Sequence, residues 1–251
     1  MDLSTLTWPE ARDAIRNASL AILPVGAIEQ HGPHLPLSTD WLIASRIASD
    51  AARAGDRLLV PGIPIGVSAE HRQFWGTLAV EPDGLRDQAI SIARSLSSHG
   101  LQRLVFVNGH GGNVVPLQET ASRLREEGIY AFVFNWWVSI ARMLSDLFPD
   151  PTAHAGSIET SLLLAIAPDL VRHDRLDDAD AATAWGSTVE GVLVGADALD
   201  FTERGNVGDP HLSTAEKGKT VLEAADSSLG RFCDWFTKRT DEELAARPHL
   251  P

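Results

Sequence analysis

One cysteine, Cys233, stands in 251 residues. A single thiol excludes an internal disulfide and a cysteine-ligated metal cluster, and on a helical C-terminal stretch its natural role is packing. Basic residues are scarce: 21 Lys and Arg face 34 Asp and Glu, for a net charge of −13. Such a chain lacks the cationic face that non-specific nucleic-acid binding requires. Long apolar runs are missing too. None reaches the roughly 18 residues that span a bilayer, and residues 1–10 are polar, without the basic segment that opens a secretory leader. The expectation is a cytoplasmic protein with neither nucleic-acid nor membrane partners. Internal repeats, low-complexity tracts and linkers are also lacking.

What is present is enough apolar material, 44%, for a sizeable core. Apolar runs at 20–25, 58–60, 104–107 and 129–134 read as buried strands. Between and after them, helical patterns cover 9–18, 41–54, 82–99, 114–127, a segment from Asn135 onward, 158–167 and 215–239, the last capped by Thr214. Residues 169–185 are acidic and alanine-rich and read as surface. Strand–helix alternation from end to end predicts an α/β fold, a largely parallel sheet with helices on both faces, in one domain spanning 1–251.

The chemistry concentrates after the strands, where parallel sheets place their sites. Residues 24–40, PVGAIEQHGPHLPLSTD, carry Glu29, His31, His34 and Asp40 among glycines and prolines. Glu29 and His31 are two apart, so from an extended backbone both side chains leave on one side. Asp40 opens the next helix, where it either caps or faces the same cleft. Two carboxylates and an imidazole suit a divalent Zn, Mn or Fe ion; the plain alternative is a polar loop with a capping Asp. The loop 61–76 offers Glu70, His71, Phe74 and Trp75, with His71 read as a hydrogen-bonded loop histidine before it is read as a ligand. NGHGGN, 108–113, matches neither the P-loop nor the dinucleotide pattern. Its glycines let backbone pass close to a ligand while His110 is presented. Trp136 and Trp137 read as core, with one able to wall a pocket. Ser157 is the expected N-cap of the helix that holds Glu159, with His154 just outside it. An imidazole and a carboxylate at a positive helix end suit metal or substrate chemistry, or a simple cap.

In order, GAIEQHGPHLPLSTD, GVSAEHRQFWGTL, NGHGGN, HAGSIETS and GDPHLSTAEKG resemble the creatininase family, over about residues 20 to 220. The resemblance implies a three-layer α/β/α sandwich, a dinuclear metal centre, hydrolysis of a carbon–nitrogen amide bond and, frequently, a homohexamer. Glu29, His31 and Asp40 match the first metal motif, with Asp40 in place of the carboxylate that bridges two ions. His110 matches the glycine-loop ligand, His154 the proton-shuttling histidine, and Glu159 the carboxylate five residues later. Two departures stand out. True creatininases carry a metal-binding Glu where this chain has Gly112, and a tryptophan where it has Asp150. Glu159 is the expected replacement ligand, and creatinine is not the expected substrate. Trp75, Trp136 and Asn113 are the expected substrate contacts. The expected activity is hydrolysis of a small-molecule amide by water activated on one or two divalent ions. The alternatives are a formamide hydrolase, a mycofactocin-type precursor-peptide peptidase, or a non-catalytic metal- or ligand-binding scaffold.

Overall fold

The computed structural model describes residues 1–148, 154–179, 187–194 and 197–247. Its centre is β1 (Leu20–Val25), buried at every position. β1 pairs in parallel with β2 (Arg57–Leu59) on one side and β3 (Arg103–Asn108) on the other, and β3 pairs in parallel with β4 (Tyr130–Asn135). The order is β2-β1-β3-β4. In register, Ile22 faces both Leu59 and Val105, and Val25 faces Asn108.

A strand buried on both faces sends alternate residues to opposite layers. Leu20 and Ile22 join Val105 and Val107 in one core cluster, against α2 (Thr39–Arg53), α7 (Ser157–Ile166) and α8 (Ala215–Thr237). Ala21, Leu23 and Val25 join Leu104 and Phe106 in the other, against α1 (Trp8–Asn17), α3 (Pro82–Ser98) and α4 (Val114–Glu126). This is the expected α/β/α sandwich. The chain runs outward from β1 to β2, then crosses back over β1 to reach β3. The loops after β1 and β3 therefore diverge and open a crevice at the carboxyl ends of the strands.

Some elements depart from the sequence reading. The helix expected from Asn135 onward is two short helices, α5 (Trp136–Ser139) and α6 (Ala141–Leu147), separated by Ile140 in a non-helical conformation. Gly156, not Ser157, caps α7, and Ser157 is its first helical residue. Residues 187–194 form an unforeseen antiparallel hairpin, β5 (Ser187–Val189) and β6 (Val192–Val194). A short helix α9 (Asp241–Leu244) follows α8. Thr214 does cap α8, its hydroxyl accepting from Lys217 N at 3.2 Å. Cys233 is fully buried in α8, and burial pushes its thiol up to about 11, which keeps it a packing group. Among the described residues, no helix is long and apolar enough to cross a membrane.

Candidate metal centre

Four chain segments meet in the crevice. The loop after β1 brings Glu29 and His31, both without solvent exposure. The first turn of α2 brings Asp40, the loop after β3 brings His110, and the first turn of α7 brings Glu159. His110 Nδ1 lies 3.2 Å from Glu29 Oε1 and 3.3 Å from Asp40 Oδ2. His31 Nε2 lies 3.1 Å from Asp40 Oδ1 and 3.7 Å from Glu159 Oε2. Two triads result, Glu29–Asp40–His110 and His31–Asp40–Glu159, each close enough to hold one ion. Asp40 belongs to both and turns one oxygen toward each histidine. A third grouping joins Glu29, His31 and His154.

Backbone carbonyls orient the imidazoles. His31 Nδ1 donates to Glu29 O at 3.2 Å, and His110 Nε2 donates to Val67 O at 2.7 Å. The opposite ring nitrogens, His31 Nε2 and His110 Nδ1, are left facing the carboxylates, as a metal ligand must. Burial disfavours charge on His31, but Asp40 outweighs it and, with Glu159 and Glu29, raises it to about 10. His110 is raised in the same way, burial being overcome by Glu29, Asp40 and Glu70. Glu159 moves up to about 7, through burial first and then Asp40 and Glu29, with His31 opposing.

The donors fit a divalent ion. Both oxygens of Glu29, and Oδ2 of Asp40, are buried with no hydrogen-bond partner among the described residues. Carboxylate oxygens removed from water and left without donors call for a cation. The mixed nitrogen and oxygen set is that of a transition ion.

His154 sits beside the triads. Its ring centroid is 4.3 Å from that of His31 and 4.5 Å from that of His71, which is also buried. Its Nε2 donates to Gln30 O at 2.8 Å, and its Nδ1 lies 3.8 Å from Glu29 Oε1. Burial, with His31 close by, holds it well below the ordinary histidine value, so it is neutral at neutral pH and able to take a proton. Glu29, Asp40, His110, His154 and Glu159 border a cavity of about 470 Å³. Its remaining wall includes Trp136, Trp137, Leu144 and Ile158.

Of the expected substrate contacts, Trp136 is placed at the cavity, almost fully buried, with its indole N–H unpartnered among the described residues. Asn113 is not. Its amide accepts from Val67 N at 2.9 Å and donates to Gly26 O at 2.9 Å, so it clamps three loops together. Trp75 is 98% exposed and stands outside the cavity wall. His34 bonds Thr160 Oγ1 at 2.9 Å, tying the first loop to α7, and burial lowers it to about 4. Gly112, where the family Glu was expected, has no room for a side chain: a Cβ there would lie 2.1 Å from Val67 O. The backbone of loop 61–76 fills that place and holds His110. Asp150 lies outside the described residues. Gln30 and Val67 were missed, because a backbone carbonyl has no residue signature and Gln30 was hidden between two stronger signals.

Residues 4–233 match the creatininase family model, described as creatinine amidohydrolase.

The chain belongs to the creatininase family.

Its kinship is with amidohydrolases, and it carries a cluster able to hold divalent metal. It is 36% identical over 248 residues to the mycofactocin precursor peptide peptidase of Mycobacterium ulcerans (strain Agy99), covering 91% of this chain and 86% of the relative. It is 33% identical to the creatinine amidohydrolase of Pseudomonas putida, covering 87% and 90%. Among solved structures, one titled "Creatininase Mn" superposes with a TM-score of 0.80 at 26% identity, covering 95% of this chain and 99% of that one.

Proposed function

We propose that this creatininase-family protein hydrolyses an amide next to an apolar group with the help of divalent metal, which Asp40 would hold at two places. Glu29 and His110 would complete one ion site; His31 and Glu159 would complete the other, Glu159 standing in for the side chain that Gly112 lacks. The observation that carries this reading is the pair of triads around Asp40, one buried and the other buried but for Glu159, with carboxylate oxygens of Glu29 and Asp40 that have no hydrogen-bond partner among the described residues. Zinc, manganese and iron all suit these donors. Such ions, when bound, supply Lewis acidity and a water whose pKa falls toward neutrality.

The chain's own residues do the rest. His154, its Nε2 held by the Gln30 carbonyl, presents Nδ1 toward Glu29. It takes the proton released as water adds to the amide and returns it to the departing nitrogen. Trp136, Trp137, Leu144 and Ile158 give the substrate's apolar part a dry wall, which keeps bulk water out and strengthens the polar interactions. Creatinine is not the substrate in this reading, because Asp150 stands where true creatininases carry a tryptophan. A small-molecule amide is the first reading. The end of a short peptide is the second, supported by the apolar wall and by the similarity to the peptidase. The strand–helix alternation further supports one domain, and the family resemblance a homo-oligomer, frequently a hexamer.

The test is to load the protein with Zn²⁺ or Mn²⁺ and assay a panel of formamides, cyclic amides and short peptides with apolar termini. Ion-dependent release of an amine from at least one class is expected. Retention of ions with no hydrolysis of any amide would leave a metal-binding scaffold and overturn the proposal.

A further inference from the structure

Gln30 lies between Glu29 and His31 but belongs to neither triad. Its side-chain amide is gripped by backbone at both ends. Oε1 accepts from Gly32 N at 3.0 Å, and Nε2 donates to Gly205 O at 2.8 Å. Turning the amide over would set oxygen against a carbonyl and NH₂ against an N–H, so its orientation is determined. The same Nε2 lies 2.8 Å from His71 Nδ1. It also lies 3.0 Å from His154 Nε2, but that nitrogen is itself a donor, to Gln30 O at 2.8 Å. The amide has two protons. One goes to Gly205 O and the other to His71 Nδ1.

A ring nitrogen that accepts from an amide carries no proton, so a neutral His71 carries its proton on Nε2. That nitrogen faces the centre, 3.4 Å from Glu29 Oε1, at the cavity border. A metal ligand needs a lone pair where His71 has an N–H. We propose that Gln30 sets His71 in the Nε2–H tautomer, so that His71 turns an N–H edge and not a lone pair toward the Glu29 carboxylate, an electrostatic contact at 3.4 Å that is not a hydrogen bond, and does not ligate an ion. Gln30 and His71 are positioning residues in this scheme. The inference rests on Glu29 being a ligand, as proposed above, and treats the backbone contacts of Gln30 as the device that imposes the tautomer.

The test uses ¹⁵N-histidine-labelled, Zn²⁺-loaded protein. Two-bond nitrogen–carbon-proton correlations distinguish the two tautomers, and the His71 signals are identified by their loss in His71→Asn. The expected pattern is an unprotonated Nδ1 and a protonated Nε2 for His71. A protonated Nδ1, or a zinc-shifted Nε2, would overturn the proposal. In Gln30→Glu a carboxylate replaces the donor, and the His71 pattern is expected to reverse to Nδ1–H. If Gln30→Glu folds and the pattern stays as in the wild type, Gln30 does not set it. Elemental analysis adds an independent readout. His71→Asn at saturating Zn²⁺ keeps the wild-type ion count, with zinc affinity weaker by about 10- to 100-fold, the range for losing a residue that supports a ligand. Loss of an ion, as expected for His110→Ala, would make His71 a ligand and overturn the proposal. None of these readouts needs a substrate, so failure of the hydrolase reading and failure of this one are separable.

Discussion

At the scale of single residues, the ligand candidates were legible because short motifs carry them. Glu29 and His31 are two apart, Asp40 starts a helix, His110 sits among glycines, and Glu159 falls in a first turn. Trp75 and Asn113, expected at the substrate, do not border the cavity, and for Asn113 the reason is the opposite one. The partners of Asn113 lie 46 and 87 residues away, at Val67 and Gly26, and nothing local announces them. Two predictions belong to this scale. His154→Ala should cut turnover by about a hundredfold or more, as loss of a general base does, while elemental mass spectrometry still finds the wild-type ion content. Full activity in that variant would remove His154 from proton transfer. Glu159→Gln should lower the ion count from two per chain to one, because the site of His31 and Asp40 loses its third donor. A count of two in the variant would make Glu159 dispensable.

At the scale of elements, the centre depends on how α7 and α8 pack. Gly218 in α8 lies against α7 so closely that a Cβ would fall 1.9 Å from Ser161 O. Ser161 is two residues from Glu159 on the same helix. Gly218→Ala should therefore push α7 away, costing about 1–3 kcal/mol of stability as overpacking does. Urea unfolding would measure the cost, and ion affinity should fall with it. The contact between α2 and α8 gives a pH prediction. Asp226 on α8 has a carboxylate oxygen that is buried and unpartnered among the described residues. Burial, then the charge of Asp50 on α2, pushes its carboxyl up to about 7 from 3.8, with Arg46 opposing. A pKa raised on folding favours the protonated form in the native state. Its contribution is complete below the unfolded value and is lost as pH rises through the folded one. Stability from this residue should thus fall between about pH 4 and pH 7. Asp226→Asn should flatten that fall and raise the urea midpoint at pH 7. An unchanged pH profile would show that Asp226 titrates normally.

For the whole molecule, ion binding and folding are linked. Carboxylates of the centre come from the β1 loop, α2 and α7, buried in the first two and half-buried in the third, so an ion that binds only the native fold holds these segments together. At a free ion level of 100 Kd the stabilisation is about 2.7 kcal/mol. For a chain of this size each kcal/mol moves Tm by roughly 2–4 °C. Chelation should lower Tm by about 5–10 °C and abolish hydrolysis, and returning Zn²⁺ or Mn²⁺ should restore both. Calorimetry showing the same Tm with and without chelator would mean that the centre holds no ion worth that much.

The layers and the donor types follow from short-range patterns along the chain. Strand and helix follow from apolar period and from glycine, proline and capping residues, which act over a few neighbours. The α/β order, the strand at 20–25 and the acidic and imidazole groups after the strands all come from such short-range rules. How those donors meet depends on packing between distant segments. Placing β1 between β2 and β3 brought Glu29 to His110, and docking α7 beside α2 brought Glu159 to His31. It also put the Val67 carbonyl where a side chain at 112 would stand, and locked the Gln30 amide between Gly32 and Gly205. These are closures across long loops, set by strand order and packing, and no local pattern of residues encodes a distance between segments so far apart in the chain.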